Sequence, residues 1–596
     1  MKRGYRRRRS RNVAVAAGAP LPSARLHLFG VGVICLSVFI VLHLFDVMIL
    51  QHGFYANAAT RAHEITASLQ PNRGAIYIGD HDSVDRFPVA INHRLYLVYL
   101  DNRYIIPEDQ DRIVDVIAKQ FAYDASQITR LREKLAKEDD PYEPIEKDVT
   151  EEIVQQLKKE RLPGVGFILS PKRFYPEHDL VAHIIGFVGK NNEGEDVGRY
   201  GIEGYWGEEL SGSGGYYAGA RSAAGKWIPL AGKLFQPAID GADITLTIDR
   251  TLQAKACQIL AMSVERYSAK SGTLVITDPS TGAVRAMCTV PTFDANAYNV
   301  VSDVTVYNND AIFTPYEPGS IFKPIVMAAA LNEHTVAPGE PFYDTGIVTG
   351  GDCDKPIKNA AGKAHHDTNI RGIIEQSINT GMVHVAERLG KNRVKSYIEQ
   401  FGFGTKTGIE LDTEVAGNIG SLSVHRGDRF DCYTATASFG QGITVTPLQM
   451  AMAFGVFANG GVLKRPYIVD RVEMPDGKVK HHTGGDIRRV LTPRAAATMT
   501  DMLEGVINQG QAKKAQVKGY RLAGKTGTAQ IAEGGRYSED SFNHSFVGFG
   551  PVEKPSFVMV VKLEEPNVKY SSESAAPTFG EIANFLLRYY RVPPSS

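Results

Sequence analysis

The chain has 596 residues, 43% apolar and 22% charged, with 66 basic and 66 acidic side chains and a net charge of zero. That is ordinary globular usage over several domains, and it excludes collagen-like and wholly disordered classes. A neutral chain has no global basic field, so no nucleic-acid partner is expected. Five cysteines, at 35, 257, 288, 353 and 432, are too few for a disulfide scaffold in a chain this long, and no C-x-x-C occurs. A zinc ribbon and a thioredoxin motif are therefore excluded, while pairing among the last four cysteines stays open.

Charge is unevenly spread. Residues 1–27 hold Lys2, Arg3, Arg6, Arg7, Arg8, Arg9, Arg11 and Arg25 and no acid, a balance of +8 that leaves −8 for the rest. A basic segment without apolar period predicts a solvated cytoplasmic tail over 1–25. The run from Leu26 to Phe45 carries no charge and continues past Asp46 to Leu50. Some 23 helical residues span roughly 34 Å, enough to cross a bilayer. The prediction is a single transmembrane anchor at 26–50 in the cytoplasmic membrane, N-terminus inside and the remainder exported. Ala56-Asn57-Ala58 has the small-x-small form of a cleavage site. The apolar run exceeds the about 7–15 residues of a signal-peptide core, so the anchor is expected to stay uncleaved. Ser37, His43 and Asp46 are candidates for contacts with partner helices, since polar groups in lipid are costly alone.

Residues 51–240 form a first exported region. Leu95 to Tyr99 alternates as a strand. Residues 110–160 have a helical period, with Ile113, Val116, Ile117 and Phe121 on one face and Ile153 and Leu157 on another. Gly198 to Gly225, rich in Gly, Tyr and Ser, predicts loops and hairpin turns. A second region covers 241–592. Ile244–Ile248 predicts a strand, Leu252–Leu260 a helix, and Gly272–Thr277 and Ala283–Cys288 a hairpin around Asp278–Gly282. Helical periods follow near 320–332, 370–390, 392–400, 446–459 and 493–508. Strands return at Thr526–Ile531, Ser545–Phe549 and Phe557–Leu563, before a helix over Phe579–Tyr589. Strands, then helices, then strands define an α+β class, an antiparallel sheet with helices packed on it.

Three short motifs carry chemistry. In Pro318-Gly319-Ser320-Ile321-Phe322-Lys323 a helix is expected to begin at Ser320, with Ser320 and Lys323 on one face. Free backbone N–H groups there can hold an oxyanion, and the nearby amine can take the serine proton. Ser377-Ile378-Asn379 falls in a short break between helical stretches. A polar pair in apolar surroundings needs partners if buried. Lys525-Thr526-Gly527-Thr528 opens a strand, placing a positive charge beside an edge that can pair with an extended peptide. Lys406-Thr407-Gly408 spells the same triplet, but it leads to an acidic loop rather than to the terminal strands, and is set aside as a decoy. Asp352, Cys353, Asp354, His365, His366 and Asp367 offer zinc-type ligands, yet their spacings close no four-ligand set. A solvated polar loop is expected there, with no metal and no cofactor.

The ordered set S-x-x-K, S-x-N, K-T-G resembles the penicillin-recognising serine enzymes. Gly241–Asp249, Ser438-Phe439-Gly440-Gln441-Gly442, Thr446-Pro447-Leu448-Gln449 and Ala458-Asn459-Gly460-Gly461 are similar to phrases of class B penicillin-binding proteins. So are Arg73-Gly74-Ala75-Ile76-Tyr77, Arg173-Phe174-Tyr175-Pro176 and Gly201-Ile202-Glu203, which resemble the pedestal (dimerisation-type) domain, with a departure at Ile78-Gly79-Asp80. Tyr316–Ser320 and His544–Pro551 look most like the septal, cell-division type. Only 69 residues follow Gly527, so the tandem C-terminal modules of sporulation relatives are not expected.

The resemblance implies a peptidoglycan D,D-transpeptidase acylated by β-lactams. It implies Ser320 as nucleophile, Lys323 as near base, Ser377 as proton relay and Asn379 as amide binder. Lys525, Thr526, Gly527 and Thr528 would serve the substrate carboxylate, and the Ser320 and Thr528 N–H groups would form the oxyanion hole. Partners would be stem peptides, a separate membrane glycan polymerase and other division proteins. Three alternatives remain: an elongation-type transpeptidase, a membrane-anchored serine β-lactamase with Glu414 as deacylating base, and a catalytically silent scaffold.

Overall fold

The computed structural model describes residues 23–50, 64–137, 140–220, 234–425, 427–533 and 536–595. Most of the basic tail lies outside them. The chain divides into two compact units, one from residues up to 70 together with 214–238, the other from 71–213 together with 239–596.

In the first unit, helix Ser23–Phe45 continues as a π-helical turn, Asp46–Leu50. Leu28–Leu50 is long and apolar enough to cross a membrane, and its apolar side chains, Leu36, Phe39 and Leu42 among them, are exposed. Ser37 Oγ donates to the Val33 carbonyl of its own helix at 2.9 Å, so this hydroxyl is satisfied without a neighbouring helix. The same unit contains an antiparallel sheet of Glu64–Leu69, Gly215–Ala220 and Leu234–Gln236.

The second unit holds two main sheets. One has six strands in the order 479–481, 469–473, 243–249, 76–79, 86–93, 172–174. The Asp243–Asp249 strand runs parallel to Ile76–Gly79 and antiparallel to Val469–Glu473, so the N-terminal region and the helical region share one sheet. Beside it, Arg73 Nε and Arg173 Nε donate to the two oxygens of the fully buried Glu203 at 2.6 and 2.7 Å. Three separate sequence phrases thus meet at one buried carboxylate. Gly74 has to be glycine, since a Cβ would lie 1.9 Å from the Ala242 carbonyl oxygen.

Two expectations for this region are corrected. The 110–160 segment is not helical throughout. Helices Pro107–Phe121, Ala125–Leu135 and Glu151–Lys159 are interrupted by a strand, Glu143–Thr150. Pro141 and Pro144 cannot sustain a helix, and the strand pairs instead with Leu95–Leu100. Gly198–Gly225 is not only loop. It forms short helices Gly201–Tyr205 and Gly207–Ser211, because Ile202 and Leu210 are fully buried and Glu203 is anchored.

The other main sheet is antiparallel and five-stranded, in the order Val284–Val290, Ser271–Thr277, Phe557–Glu564, Arg536–Gly550, Ala523–Glu533. Helices Arg250–Arg266 and Ala575–Tyr589 pack against it, Phe546 meeting Phe579 with ring centroids 4.6 Å apart. Helix Pro447–Ala458 also packs on this sheet; it is apolar all round and buried from Pro447 to Phe457, as a core helix must be. Its Thr446-Pro447-Leu448-Gln449 start is a capping box, and Gln449 Nε2 also donates to the Thr405 and Ala416 carbonyls at 2.9 Å. That phrase is structural. The expected α+β plan is therefore the observed one.

Four of the five cysteines pair. Cys257–Cys288 ties helix Arg250–Arg266 to strand Val284–Val290, and Cys353–Cys432 ties the loop before the second motif to helix Cys432–Ala437. The zinc-type cluster is dispersed. The Cys353 sulfur is in its disulfide, Asp352 accepts the Cys432 N–H at 2.8 Å, and His365 Nδ1 meets Gln376 Oε1 at 2.5 Å.

Candidate active site

Ser320 lies in a 3-10 turn, Gly319–Phe322, and the α-helix begins only at Lys323 and runs to Asn332. The turn is held flush against the terminal sheet by glycines. Gly319 has φ +56° and donates to the Gly440 carbonyl at 3.0 Å. A Cβ on Gly527 would stand 2.6 Å from Ser545 Oγ and 3.0 Å from Ile321 Cγ2. Only bare backbone lets strand and turn approach this closely.

Ser377 sits in the predicted break, between helices Ile370–Glu375 and Asn379–Leu389. Its φ is +60°, a strained value for a serine, fixed by the buried Ile373, Ile374 and Ile378 around it. Lys323 Nζ donates to the Ser377 carbonyl at 2.6 Å and to Ser377 Oγ at 3.1 Å. Lys525 Nζ reaches the same Oγ at 3.0 Å and the Thr526 carbonyl at 3.2 Å. All three motifs therefore converge on Ser377, and the amine of Lys323 is directed to Ser377 rather than to Ser320.

Both lysines are fully buried. Burial, and then the neighbouring Lys525 charge, hold Lys323 well below the usual ammonium range. Burial alone lowers Lys525 to about 7. A neutral amine at Lys323 and a readily lost proton at Lys525 are what a proton-transfer chain requires.

Asn379 donates its backbone N–H to Asn359 Oδ1 and its side-chain amide to the Lys358 carbonyl, each at 2.9 Å. This ties the second motif to a buried network in which Thr380 and Asn359 both bond Asp344. Lys525 and Gly527 share one face of the Ala523–Glu533 strand, and by the two-residue repeat Thr526 and Thr528 lie on the other. Thr526, expected at the carboxylate, is 5% exposed, while Thr528 on the same face keeps partial exposure. Sequence reasoning missed a contact just before the Ser320 turn, between Glu317 and Tyr537. The Glu317 carboxylate accepts the Gly442 N–H at 3.0 Å and the Tyr537 hydroxyl at 3.1 Å, and burial raises its pKa. Glu317 falls within the Tyr316–Ser320 phrase but is given no role there, and Tyr537 lies in no motif.

The decoy triplet is elsewhere engaged. Glu414 accepts from the Thr407 N–H at 2.7 Å, the Thr407 hydroxyl at 2.5 Å and the Gly408 N–H at 3.0 Å. Lys406 is exposed. Glu414 thus caps a turn, and both of its oxygens are occupied there.

Two buried lysines bridged by a serine, next to the turn that carries Ser320 and on an antiparallel sheet with helices, define the fold and site class of the penicillin-recognising serine enzymes. Residues 272–584 match the family described as Penicillin binding protein transpeptidase domain, and residues 68–246 match the Penicillin-binding Protein dimerisation domain. The chain is 33% identical over 457 residues to Stage V sporulation protein D of Bacillus subtilis, covering 76% of this chain and 69% of that one. It is 28% identical over 454 residues to peptidoglycan D,D-transpeptidase FtsI of Escherichia coli, covering 76% and 73%. It is 27% identical over 618 residues to peptidoglycan D,D-transpeptidase MrdA of Haemophilus influenzae, covering 93% and 90%. A solved peptidoglycan synthetase from Bifidobacterium adolescentis aligns with a TM-score of 0.71 at 26% identity, covering 89% of this chain and 98% of its own. The chain belongs to the penicillin-binding protein family. A dimerisation domain followed by a transpeptidase domain makes it a class B member, a serine-type transpeptidase.

Proposed function

We propose that this protein cross-links peptidoglycan stem peptides at the division septum, through an acyl-enzyme on Ser320. The observation that carries the reading is the convergence of Lys323 and Lys525 on Ser377 Oγ, at 3.1 and 3.0 Å, beside the Ser320 turn. Ser320 Oγ attacks the carbonyl of the penultimate D-alanine and its proton passes toward neutral Lys323. The tetrahedral oxyanion rests on the Ser320 and Thr528 N–H groups. Collapse expels D-alanine, whose amine takes a proton through Ser377. An amine of a neighbouring strand then attacks the ester, forming the cross-link and freeing Ser320. Asn379 Oδ1 accepts from the substrate amide. Lys525, being buried, supplies charge from behind, and the Thr528 hydroxyl, on a partly exposed residue, makes the direct carboxylate contact. β-Lactams enter as acyl donors at the same serine.

Residues 51–240 serve as the pedestal and 241–592 as the transpeptidase domain. The Leu28–Leu50 helix anchors the protein in the cytoplasmic membrane, N-terminus inside, which the eight bases of residues 1–27 support. The match of residues 68–246 to a dimerisation domain supports a division of labour in which a separate membrane polymerase makes the strands. Similarity to proteins named FtsI supports the septal role. One observation favours an elongation role instead: the similarity to MrdA extends over 93% of this chain. A fluorescent fusion in the native cell separates them. A ring at the division site supports the septal reading, and uniform side-wall signal through the cycle overturns it.

A further inference from the structure

Thr528 is held from behind by a residue outside the three motifs. Its Oγ1 accepts the Ser571 N–H at 3.2 Å and donates to Ser571 Oγ at 3.1 Å. Ser571 is 2% exposed and opens the short turn Ser571–Glu573 that leads into the closing helix. Ser574, at the end of that turn and fully buried, meets His544 Nδ1 at 2.8 Å. His544 is the cross-strand partner of Thr528. The turn is therefore fastened at two adjacent points of the sheet, one under Thr528 and one under the residue beside it. Burial keeps His544 neutral, with a pKa of about 4, so this second fastening does not change with pH near neutrality.

A threonine hydroxyl has one proton and two acceptor sites. The Ser571 N–H fills one acceptor site and fixes the side-chain rotamer. The Ser571 hydroxyl holds the Thr528 proton while the site is empty. An arriving carboxylate competes for that proton, and Ser571 can then rotate its own hydrogen onto the second acceptor site. Thr528 would be left with a single free donor, aimed outward. We infer that Ser571 is a positioning residue for carboxylate recognition, acting through Thr528. The inference rests on the reading of Thr528 as the carboxylate contact.

The test compares second-order acylation constants for benzylpenicillin and for its methyl ester, which lacks the anion. Ser571→Ala keeps the N–H and removes only the hydroxyl. It is expected to slow the acid about tenfold, the scale of one hydrogen bond to a charged group, while the ester stays within about twofold. Ser571→Thr is expected to restore the acid. Thr528→Val should slow the acid at least as much, and adding Ser571→Ala to it should do nothing more. Equal slowing of acid and ester by Ser571→Ala, without rescue by Ser571→Thr, overturns the inference and leaves Ser571 as packing. An unchanged acid-to-ester ratio in Thr528→Val overturns the Thr528 reading beneath it, and the inference with it. If Ser571→Ala fails to fold, Ser571→Thr and Thr528→Val still decide: loss of acid selectivity in Ser571→Thr as large as in Thr528→Val contradicts the inference.

Discussion

Lys323 and Lys525 address one oxygen: Ser377 Oγ lies 3.1 Å from the first amine and 3.0 Å from the second. Two ammonium groups cannot both be charged at that spacing in a dry site without cost. The arrangement therefore favours one neutral and one charged amine, with the serine between them as the path for a proton.

This division of labour sets a pH profile. The acylation constant should rise with pH as Lys323 loses its proton, well below the usual ammonium range, and fall again near 7 as Lys525 loses its own. Lys525→Arg keeps the cation at all accessible pH and should remove the alkaline fall. Stopped-flow acylation between pH 5 and about 9 checks this; a fall that survives Lys525→Arg assigns it to another group. The same burial has a stability consequence. Between about 7 and the ordinary 10.5 the unfolded chain holds the Lys525 proton and the folded one does not. The Lys525 contribution to stability thus rises with pH across that window and is lowest below it.

The two K-T-G triplets should separate cleanly. Lys525→Ala should slow acylation by about 10²-fold or more, as loss of preorganised charge at an oxyanion site does. Lys406→Ala should leave it within about threefold, being an exposed charge. Glu414→Gln should leave deacylation unchanged and lower the melting temperature, because its oxygens serve Thr407 and Gly408. Faster or slower loss of the adduct in Glu414→Gln would reopen the β-lactamase alternative.

Glu203 predicts a purely structural loss. Replacing it by Ala leaves the largely buried guanidinium groups of Arg73 and Arg173 without their shared carboxylate, a change expected to cost about 3 kcal/mol. The melting temperature should drop by several degrees while the acylation constant of the folded fraction holds. A lost acylation rate at unchanged melting would contradict this.

The disulfides predict a second stability signal. Cys353 and Cys432 are 79 residues apart, and closing a loop of that size stabilises by about 4–5 kcal/mol in the chain-entropy description. Cys353→Ser with Cys432→Ser should lower the denaturation midpoint accordingly, and an unchanged midpoint would show that the bridge contributes nothing.

The side chains that gather at Ser377 are legible in the sequence because each lies within a short motif, whereas the meeting of Arg73 and Arg173 at Glu203 is not marked by any of the three phrases that contain them. What could not be read depends on contacts between distant residues. Cysteines 31 and 79 residues apart give no local sign of pairing. Ser571 bonds Thr528 and Glu317 bonds Tyr537 across long stretches of sequence, and no spacing marks these pairs. The Glu143–Thr150 strand was missed inside a charged, helix-like stretch, where pairing with Leu95–Leu100 overrides local period.

As proposed, Ser320 is the acylated nucleophile of a slow-deacylating transpeptidase. Intact-mass spectrometry after incubation with benzylpenicillin, followed by peptide mapping, tests it in one experiment. A single adduct on the peptide containing Ser320, stable for many minutes and absent from Ser320→Ala, is the predicted result. An adduct on any other serine, or one that forms and clears within seconds with repeated turnover, would contradict it.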